Sequence, residues 1–348
     1  MSLPTIDPEY LQTFLVSLLN IPSPTGLAEP AIDYTEQALK AFPELSIQRN
    51  RKGALLATWQ GEKADAPRAF TAHADTLGAM VRQIKTNGRL LMTKIGGFAW
   101  NTVEGEGCRV FTSYGEPLRG SILLDTASAH VHGNKVNEVK REDENMEVRL
   151  DARTSSQEET EALGIRIGDF ISFDPRVEVT NGFVRSRHLD DKACVACLVA
   201  GIKALHDGGL KPAQKAYFHI SNYEEVGHGA ATGIPLDAVE LLSVDMAAVG
   251  EGQASDEFHA TLCLKDSGGP YHHDLSLRLR LLAEENSIPY KLDTYPYYGS
   301  DGEAYWRAGG DVAVALIGPG VDASHNYERT HLDALVATTQ WVVAYLLS

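Results

Sequence analysis

The feature that most restricts the fold is a change of hydrophobic periodicity along the carboxyl-terminal half of the chain. Apolar runs of strand length alternate there with longer stretches whose apolar residues recur at helical spacing. Such alternation predicts a mixed, largely parallel sheet sandwiched by helices. The predicted strands are Ala216–Ser221, Leu241–Asp245 and Asp311–Ile317, and the predicted helices are Lys192–His206, His272–Glu285 and His331–Leu347.

The middle of the chain follows a different pattern. Ala79–Lys85 and Arg89–Lys94 flank an Asn87-Gly88 pair, which is the strongest short-range signal for a β-hairpin. Further strand-like runs follow, with little helical periodicity between them. We therefore predict a small all-β domain inserted at residues 78–175, and an α/β domain formed by residues 1–77 and 176–348.

Histidines and carboxylates fall at the exits of the predicted α/β strands. Taken singly, each is more typical of a helix cap, a solvated turn or a structural histidine. Their repetition at separate strand exits is harder to explain in that way, because the carboxyl ends of strands in an open α/β sheet meet at the edge where ligands bind. The residues concerned are His73, Asp75, Asp190, Asp191, Glu224, Glu225, Asp245 and His325.

Two histidines with several carboxylates form a typical ligand set for a pair of divalent ions. In the absence of thiolate ligands, zinc, cobalt and manganese are all admissible. Such a pair activates a bridging water and polarises a carbonyl group. A carboxylate that does not bind metal is then needed as the general base, and the neighbours Glu224 and Glu225 can supply one ligand and one base.

These residues lie in six short motifs that span nearly the whole chain, namely AHAD (72–75), LDDK (189–192), EEVGHGA (224–230), VDM (244–246), GSDG (299–302) and SHNYE (324–328). In their sequence and order the motifs resemble the M42 family of co-catalytic metallo-aminopeptidases, which includes glutamyl and leucyl aminopeptidases. The resemblance implies a zinc-peptidase-like fold and a two-metal aminopeptidase that removes amino-terminal residues from short peptides.

The resemblance also implies a role for each site residue. Asp190 would bridge the ions, His73 and Asp245 would complete one site, and Glu225 and His325 would complete the other. Glu224 would be the general base, and Asp75 would orient His73, in line with the usual hydrogen bond from a metal-bound imidazole to a carboxylate. Zinc is the first choice of metal. Departures from the family, such as HADTLG (73–78) in place of HMDEIG, lie beside the site and leave the preferred side chain open.

The resemblance extends to assembly, since it implies that the insertion packs subunits into dimers and then into a larger closed particle, a dodecamer being one form. A chamber with internal sites would admit only short, unfolded peptides. The insertion also leaves short β edges that need covering. We therefore expect a homo-oligomer.

Charge and composition exclude several partners. The formal net charge of −16 disfavours nucleic-acid binding, which depends on clustered Lys and Arg. No stretch approaches the roughly 20 apolar residues of a membrane span.

The amino-terminal segment and the cysteines indicate the cellular location. Residues 1–20 lack a basic leader, so no signal peptide is expected. The few, irregularly spaced cysteines suggest reduced thiols in a cytoplasm. We read the CxxC of Cys194 and Cys197 as buried core thiols.

Other functions remain open at this stage. The same metal centre could cleave an N-acyl amino acid or another amide, and only the need for a free α-amine distinguishes a peptidase from such a deacylase. A binding or scaffold protein that has lost catalysis is the alternative of another class, although such proteins usually lack a ligand or the base. Lys265, Arg307 and Arg329 could each receive an acidic substrate group, but solvated surface charge is the simpler interpretation. No GxSxG or GxGxxG motif supports a serine hydrolase or a dinucleotide enzyme.

Overall fold

The structure, a computed structural model, describes residues 3–113 and 115–348. The chain divides into two units, one formed by the segments up to Thr76 and from Arg176 onward, and the other by Leu77–Pro175. The second unit interrupts the first along the sequence, and each has its own apolar core.

The first unit begins with an amphipathic helix. Asp7 caps it by accepting a hydrogen bond from the Tyr10 amide, Pro8 occupies its first turn, and its apolar face is buried. The elements of this segment are helices α1 (Pro8–Leu19) and α2 (Glu29–Leu39), followed by strands β1 (Leu45–Arg49), β2 (Leu55–Trp59) and β3 (Lys63–His73).

The second unit is a closed antiparallel barrel with the strand order β4-β5-β8-β7-β6-β9. The Asn87-Gly88 turn joins its first two strands, and Gly88 adopts the positive φ of +80° that such a turn needs. Short helices, which the periodicity did not predict, lie in the connections. The elements are β4 (Gly78–Ile84), β5 (Leu90–Ile95), β6 (Gly107–Phe111), β7 (Leu118–Leu124), α3 (Ala129–His132), α4 (Lys135–Glu138), β8 (Met146–Leu150), α5 (Gln157–Ala162) and β9 (Phe170–Phe173).

The first unit then resumes with alternating strands and helices. The elements are β10 (Glu178–Thr180), β11 (Phe183–Ser186), α6 (Leu189–Asp207), β12 (Gln214–Ser221), β13 (Glu240–Val244), β14 (Ala247–Val249), β15 (Ala260–Lys265), α7 (His273–Glu285), β16 (Tyr290–Thr294), α8 (Asp301–Arg307), β17 (Ala313–Asp322), β18 (Glu328–His331) and α9 (Leu332–Leu347). Ser300 lies at the N-cap position of α8, and Asp301 is the first residue of that helix.

The sheet of the first unit runs in the order β1-β2-β12-β3-β13-β17-β18-β11-β10, with β14, β15 and β16 attached through β17. Its central strands β12, β3, β13 and β17 are mutually parallel. The pairings from β1 to β12 and from β17 through β18 and β11 to β10 are antiparallel. The predicted fold class, a mixed and largely parallel sheet with helices and a separate small all-β domain, is confirmed. No helix in the described parts of the chain is long and apolar enough to cross a membrane.

The four parallel strands end at the same edge of the sheet. Strand β3 ends at His73, β12 ends three residues before Glu224, β13 ends one residue before Asp245, and the turn after β17 carries His325. The topology therefore brings side chains from distant parts of the sequence to one edge.

Candidate metal centre

His73 is buried at the end of β3 and directs its Nε2 atom toward carboxylates. Nε2 lies 3.1 Å from Asp190 Oδ1 and 3.5 Å from Glu224 Oε2. The other ring nitrogen, Nδ1, is 2.9 Å from the main-chain oxygen of Asp75, and the main-chain N–H of His73 donates to Asp191 Oδ2 at 3.1 Å. A hydrogen bond from Nδ1–H to that carbonyl leaves the Nε2 lone pair facing the carboxylates, as a metal-binding imidazole requires.

Asp190 lies between the two histidines. Its Oδ1 faces His73 Nε2, and its Oδ2 is 3.3 Å from His325 Nε2. The backbone is non-helical here (φ −73°, ψ 104°), so the start of α6 turns the side chain toward the strand ends. Burial alone raises the pKa of Asp190, but hydrogen bonds from His325 and His73 hold it well below its ordinary value.

Asp245 and Glu225 complete two overlapping groups. His73, Asp190 and Asp245 are buried, and each offers one ligand atom such that these atoms lie within 4.8 Å of one another. On the other side of Asp190, Glu225 Oε2 is 3.7 Å from His325 Nε2. The structure thus brings all the sequence-predicted ligands together, three around His73 and three around His325, with Asp190 in both groups.

The donor set fits divalent cations. Burial, followed by the neighbouring charge of Asp190, raises the pKa of Glu225 to about 8 and that of Asp245 to about 7. These raised pKa values mean that the ionised carboxylates are disfavoured there, because buried negative charge is costly unless cations pair with it. Imidazole nitrogens and carboxylate oxygens without a thiolate suit zinc, cobalt or manganese.

The loop after β12 presents Glu224 and Glu225 side by side. Tyr223 (φ 75°) and Gly227 (φ 87°) both adopt left-handed backbone conformations, and these turn the chain sharply around the two glutamates. Burial raises the pKa of Glu224 well above its ordinary value, with Asp245 and Asp301 adding to the effect and His73 opposing it.

The carboxylate of Asp75 hydrogen-bonds this loop and also lies near the His73 ring. It accepts hydrogen bonds from the main-chain N–H groups of Glu224 (3.2 Å) and Glu225 (3.4 Å), and from the hydroxyl of Thr25 (2.6 Å). Its Oδ1 is 3.7 Å from His73 Nδ1, further than the main-chain oxygen of the same residue. The shorter contact of Asp75 with His73 is therefore made by its backbone, while its side chain hydrogen-bonds the loop that carries Glu224 and Glu225. Sequence reasoning missed Thr25, because nothing in the segment 21–26 indicates its distant partner.

Two further residues fix the far end of the loop. Asp301 is buried and accepts hydrogen bonds from the Ala230 amide (2.6 Å) and the Ser221 hydroxyl. The ammonium group of Lys52 donates to the carbonyl oxygen of Gly229 at 2.9 Å, and also to that of His228. Neither contact was predicted from the sequence, although Asp301 lies within the GSDG motif.

Glu328 hydrogen-bonds the backbone of both Asp190 and His325. It accepts hydrogen bonds from the main-chain N–H of Asp190 (3.1 Å) and of His325 (3.0 Å). Burial raises the pKa of Glu328 to about 8. The sequence indicated Glu328 only through its place in the SHNYE motif. Its role could not be predicted, because it depends on the hydrogen bond with Asp190, which lies 138 positions away in the sequence.

A cavity of about 380 Å³ adjoins the cluster. Its lining combines the predicted ligands with a wall from the segment around α8. The lining residues are Asp190, Glu224, Glu225, Gly227, Asp245, Met246, Ala248, Tyr297, Tyr298, Gly299, Ser300, Glu303, Ala304, Arg307, Ser324 and His325.

Of the basic residues considered for an acidic substrate group, only Arg307 is among the residues that line this cavity. Arg329 pairs with Glu257 at 2.5 Å, and Lys265 donates to the carbonyl oxygen of Asp266 at 2.8 Å. The thiols of Cys194 and Cys197 are buried within α6, which agrees with their interpretation as core residues.

Comparison with known proteins gives a consistent result. Residues 53–340 match the model of the peptidase family described as M42 glutamyl aminopeptidase. The chain is 48% identical over 332 residues, 95% of each chain, to YhfE of Bacillus subtilis (strain 168), whose name assigns it provisionally to the aminopeptidases.

Solved structures share the fold. The aminopeptidase APDkam598 from Desulfurococcus kamchatkensis has a TM-score of 0.87 at 23% identity, covering 97% of this chain and 95% of that one. The TET1 peptidase of Pyrococcus horikoshii, described as assembling into a tetrahedron or a large octahedral shell, has a TM-score of 0.84 at 23% identity, covering 97% and 99%.

Proposed function

The chain belongs to the M42 family of aminopeptidases, and from this premise we propose that it binds two divalent metal ions and uses Glu224 as the general base. It is a hydrolase that acts on the amino ends of peptides, as the sequence predicted. One observation carries the two-metal proposal. The two oxygens of Asp190 face different histidines, His73 at 3.1 Å and His325 at 3.3 Å, as a carboxylate shared by two ions requires.

We assign His73, Asp190 and Asp245 to one ion, and His325, Asp190 and Glu225 to the other. Zinc is the first choice, with cobalt and manganese as alternatives. When bound, such ions lower the pKa of a water molecule and polarise the carbonyl of the scissile peptide bond. The proton transfers of the reaction are then carried out by side chains of this protein.

Glu224 is the group in position to move the proton. Its side chain lines the cavity, and its main-chain N–H is held by Asp75. We propose that its carboxylate accepts a proton from the attacking water and returns that proton to the departing amine. Glu225, one residue further along, faces His325 and acts as a ligand. The sharp turn around Tyr223 and Gly227 supports this division, because in a straight strand neighbouring side chains would point to opposite faces.

The substrate proposed is a short peptide with a free α-amine. The test uses aminoacyl p-nitroanilides with a free amine beside their N-acetylated counterparts, in the presence of zinc, cobalt or manganese. Hydrolysis of the free-amine substrates alone, abolished by a chelator and restored by metal, is the expected result. Hydrolysis of the acetylated substrates at comparable rates would instead indicate a deacylase. Activity that survives exhaustive chelation would contradict the metal assignment.

We also propose that the chain forms dimers that assemble into a larger closed particle, with residues 78–175 packing subunits together and the other domain carrying catalysis. The shared fold with the Pyrococcus horikoshii TET1 peptidase supports this proposal, because that protein assembles into closed shells. Particles with internal sites would degrade short peptides and spare folded proteins. Sedimentation equilibrium that finds a monomer at micromolar concentration would contradict the proposal, and so would cleavage of a folded protein.

A cytoplasmic location is proposed on the basis of the cysteines. All four are buried, and none forms a disulfide in the described parts of the chain, which suits a reducing compartment. Cell fractionation tests this proposal, and recovery of the mature protein outside the cytoplasm would contradict it.

A further inference from the structure

The short strand β14 has one edge that no other strand covers in the parts of the chain that the structure describes. On its other edge β14 pairs with β17 in parallel register. Strand β13, which precedes β14 in the chain, lies between β17 and β3. Because β3 ends at His73, the sheet has no strand beside β14 on that side. The open edge of β14 is therefore on the side of the sheet where the metal centre lies.

The register of β17 determines which main-chain groups of β14 point to this open edge. The N–H of Gly320 donates to the carbonyl oxygen of His259 at 3.2 Å, on the β15 side of β17, so the next residue, Val321, faces β14. In a parallel ladder such a residue bonds the two neighbours of its register partner, and the partner itself points the other way. The register partner of Val321 is Ala248. The N–H and C=O of Ala248 therefore point to the open edge.

A second contact agrees with this orientation and places the edge at the cavity. The carbonyl oxygen of Met246, two residues before Ala248, accepts a hydrogen bond from the Tyr298 hydroxyl at 2.7 Å. All three residues line the cavity beside the metal centre. Ala248 is half-buried, and no described residue pairs with its main-chain N–H or C=O on this side. Main-chain groups away from water nearly always have a partner, so this edge suits a ligand that is itself a peptide.

The edge also lies at a suitable distance from the reaction. Asp245 is a proposed metal ligand, and Ala248 lies three residues further along, about 10 Å away at roughly 3.3 Å per strand residue. An extended substrate whose first carbonyl group lies at the metal ions advances by the same step. Residues from about the third onward would then lie beside Ala248, with the substrate running parallel to β14.

We propose that the peptide substrate binds as an added strand beside β14, with the Ala248 carbonyl accepting from one substrate amide and the Ala248 N–H donating to one substrate carbonyl. This inference rests on the proposed aminopeptidase function. Strand addition supplies affinity through main-chain hydrogen bonds, so it operates on substrates of different sequence. It concerns the residues after the scissile bond, and it is separate from any preference for the amino-terminal side chain.

The first experiment uses the metal-loaded wild type and a pentapeptide amide, Leu-Ala-Ala-Ala-Ala. Three further substrates carry a methyl group on the amide nitrogen of the third, fourth or fifth residue, which removes that donor and leaves the scissile amide unchanged. We expect methylation at one position to lower kcat/KM by about 10- to 100-fold, the range for leaving a half-buried acceptor unpaired. A methyl group on an adjacent nitrogen, which points away from β14, should change kcat/KM by less than about threefold.

Ala248→Pro tests the same edge from the side of the protein. Proline removes an N–H that takes no part in the ladder with β17, and edge strands tolerate such a change. The measured quantity is the kcat/KM for the pentapeptide divided by that for Leu p-nitroanilide, which has no residue after the scissile bond. We expect this ratio to fall by about tenfold. Val179→Pro is the matched control, because it adds a proline to the edge strand β10, none of whose residues lines the cavity, and it should leave the ratio unchanged.

The outcomes separate this inference from the function on which it rests. Methyl groups tolerated at all three positions, comparable losses at two adjacent positions, or an unchanged ratio in folded Ala248→Pro would overturn this inference alone. The methylated series needs no variant, so it decides the question even if Ala248→Pro does not fold. Failure to hydrolyse both the unmethylated pentapeptide and the anilide would overturn the proposed function and this inference with it.

Discussion

Thr25→Val tests how the glutamate loop is held. The hydroxyl of Thr25 donates to Asp75 Oδ2 at 2.6 Å, and both residues are buried, with Thr25 4% exposed and Asp75 fully inaccessible. Valine has nearly the same shape but no donor. Removing one partner of a buried, charge-assisted hydrogen bond costs about 1.5–3 kcal/mol, so we expect the free energy of unfolding to fall by that amount.

The same change should reach the site, because Asp75 also accepts from the amides of Glu224 (3.2 Å) and Glu225 (3.4 Å). With one of its three donors gone, the carboxylate is less firmly placed, and we expect kcat to fall by about tenfold, the effect of a small displacement of catalytic groups. Hydrogen exchange of the loop amides should accelerate in parallel.

The assay is urea unfolding of the metal-free protein, with hydrogen exchange of the peptide spanning residues 222–231 and kcat of the metal-loaded enzyme. Thr25→Ser is the matched control, since it keeps the hydroxyl and loses only a methyl group. The reasoning is refuted if Thr25→Val unfolds within about 0.5 kcal/mol of Thr25→Ser, because surface-like substitutions stay within that range. Equal exchange rates in the two variants would refute it as well.

Further predictions concern Lys52 and His219. Lys52→Met should lower kcat several-fold with little change in the free energy of unfolding. The reason is that the ammonium group of Lys52 donates to the carbonyl oxygen of Gly229 at the end of the loop that carries Glu224 and Glu225. Equal kcat in Lys52→Met and Lys52→Arg would contradict this prediction. Burial, helped by Lys52, lowers the pKa of His219 to about 3, so the folded state resists its protonation. The wild type should therefore lose stability relative to His219→Gln as pH falls below about 6.5, by about 2 kcal/mol at pH 5, and not above that pH. Urea unfolding at pH 5 and pH 8 measures this, and a pH-independent difference would contradict it.

The sequence predicted the architecture well where periodicity is strong. The helices at the carboxyl-terminal end and the parallel strands β12, β13 and β17 appear close to their predicted places, because each carries a long apolar pattern. The hairpin of β4 and β5 was also predicted correctly, because the Asn87-Gly88 pair is itself a local signal for a tight turn. Strands β14 and β18 and the short helices α3 and α4 were not predicted, since three or four residues carry no usable period.

The sequence also predicted which side chains lie together at the site, but not the hydrogen bonds that position them. Strand exits in an α/β sheet converge by topology, so His73, Asp245 and His325 could be grouped without coordinates. The supports for these groups are contacts between residues far apart in sequence, such as Thr25 with Asp75 and Glu328 with Asp190. No local pattern encodes such contacts. Asp75 shows the limit most clearly, because no local pattern indicates that its carboxylate accepts hydrogen bonds from the amides of Glu224 and Glu225.

The two neighbouring glutamates allow the most direct test of the central claim, which is a two-ion centre with separate ligand and base. Metal content by elemental analysis and kcat with a Leu p-nitroanilide are measured for the wild type, Glu224→Gln and Glu225→Gln. The account predicts about two ions per chain in the wild type. It predicts nearly normal metal content in Glu224→Gln with kcat reduced by roughly 10²- to 10⁴-fold, the usual effect of losing a general base. Glu225→Gln should lose one ion and regain activity in part at high metal concentration. Metal loss in Glu224→Gln with full occupancy in Glu225→Gln, or a wild type that holds only traces of metal while active, would contradict the account.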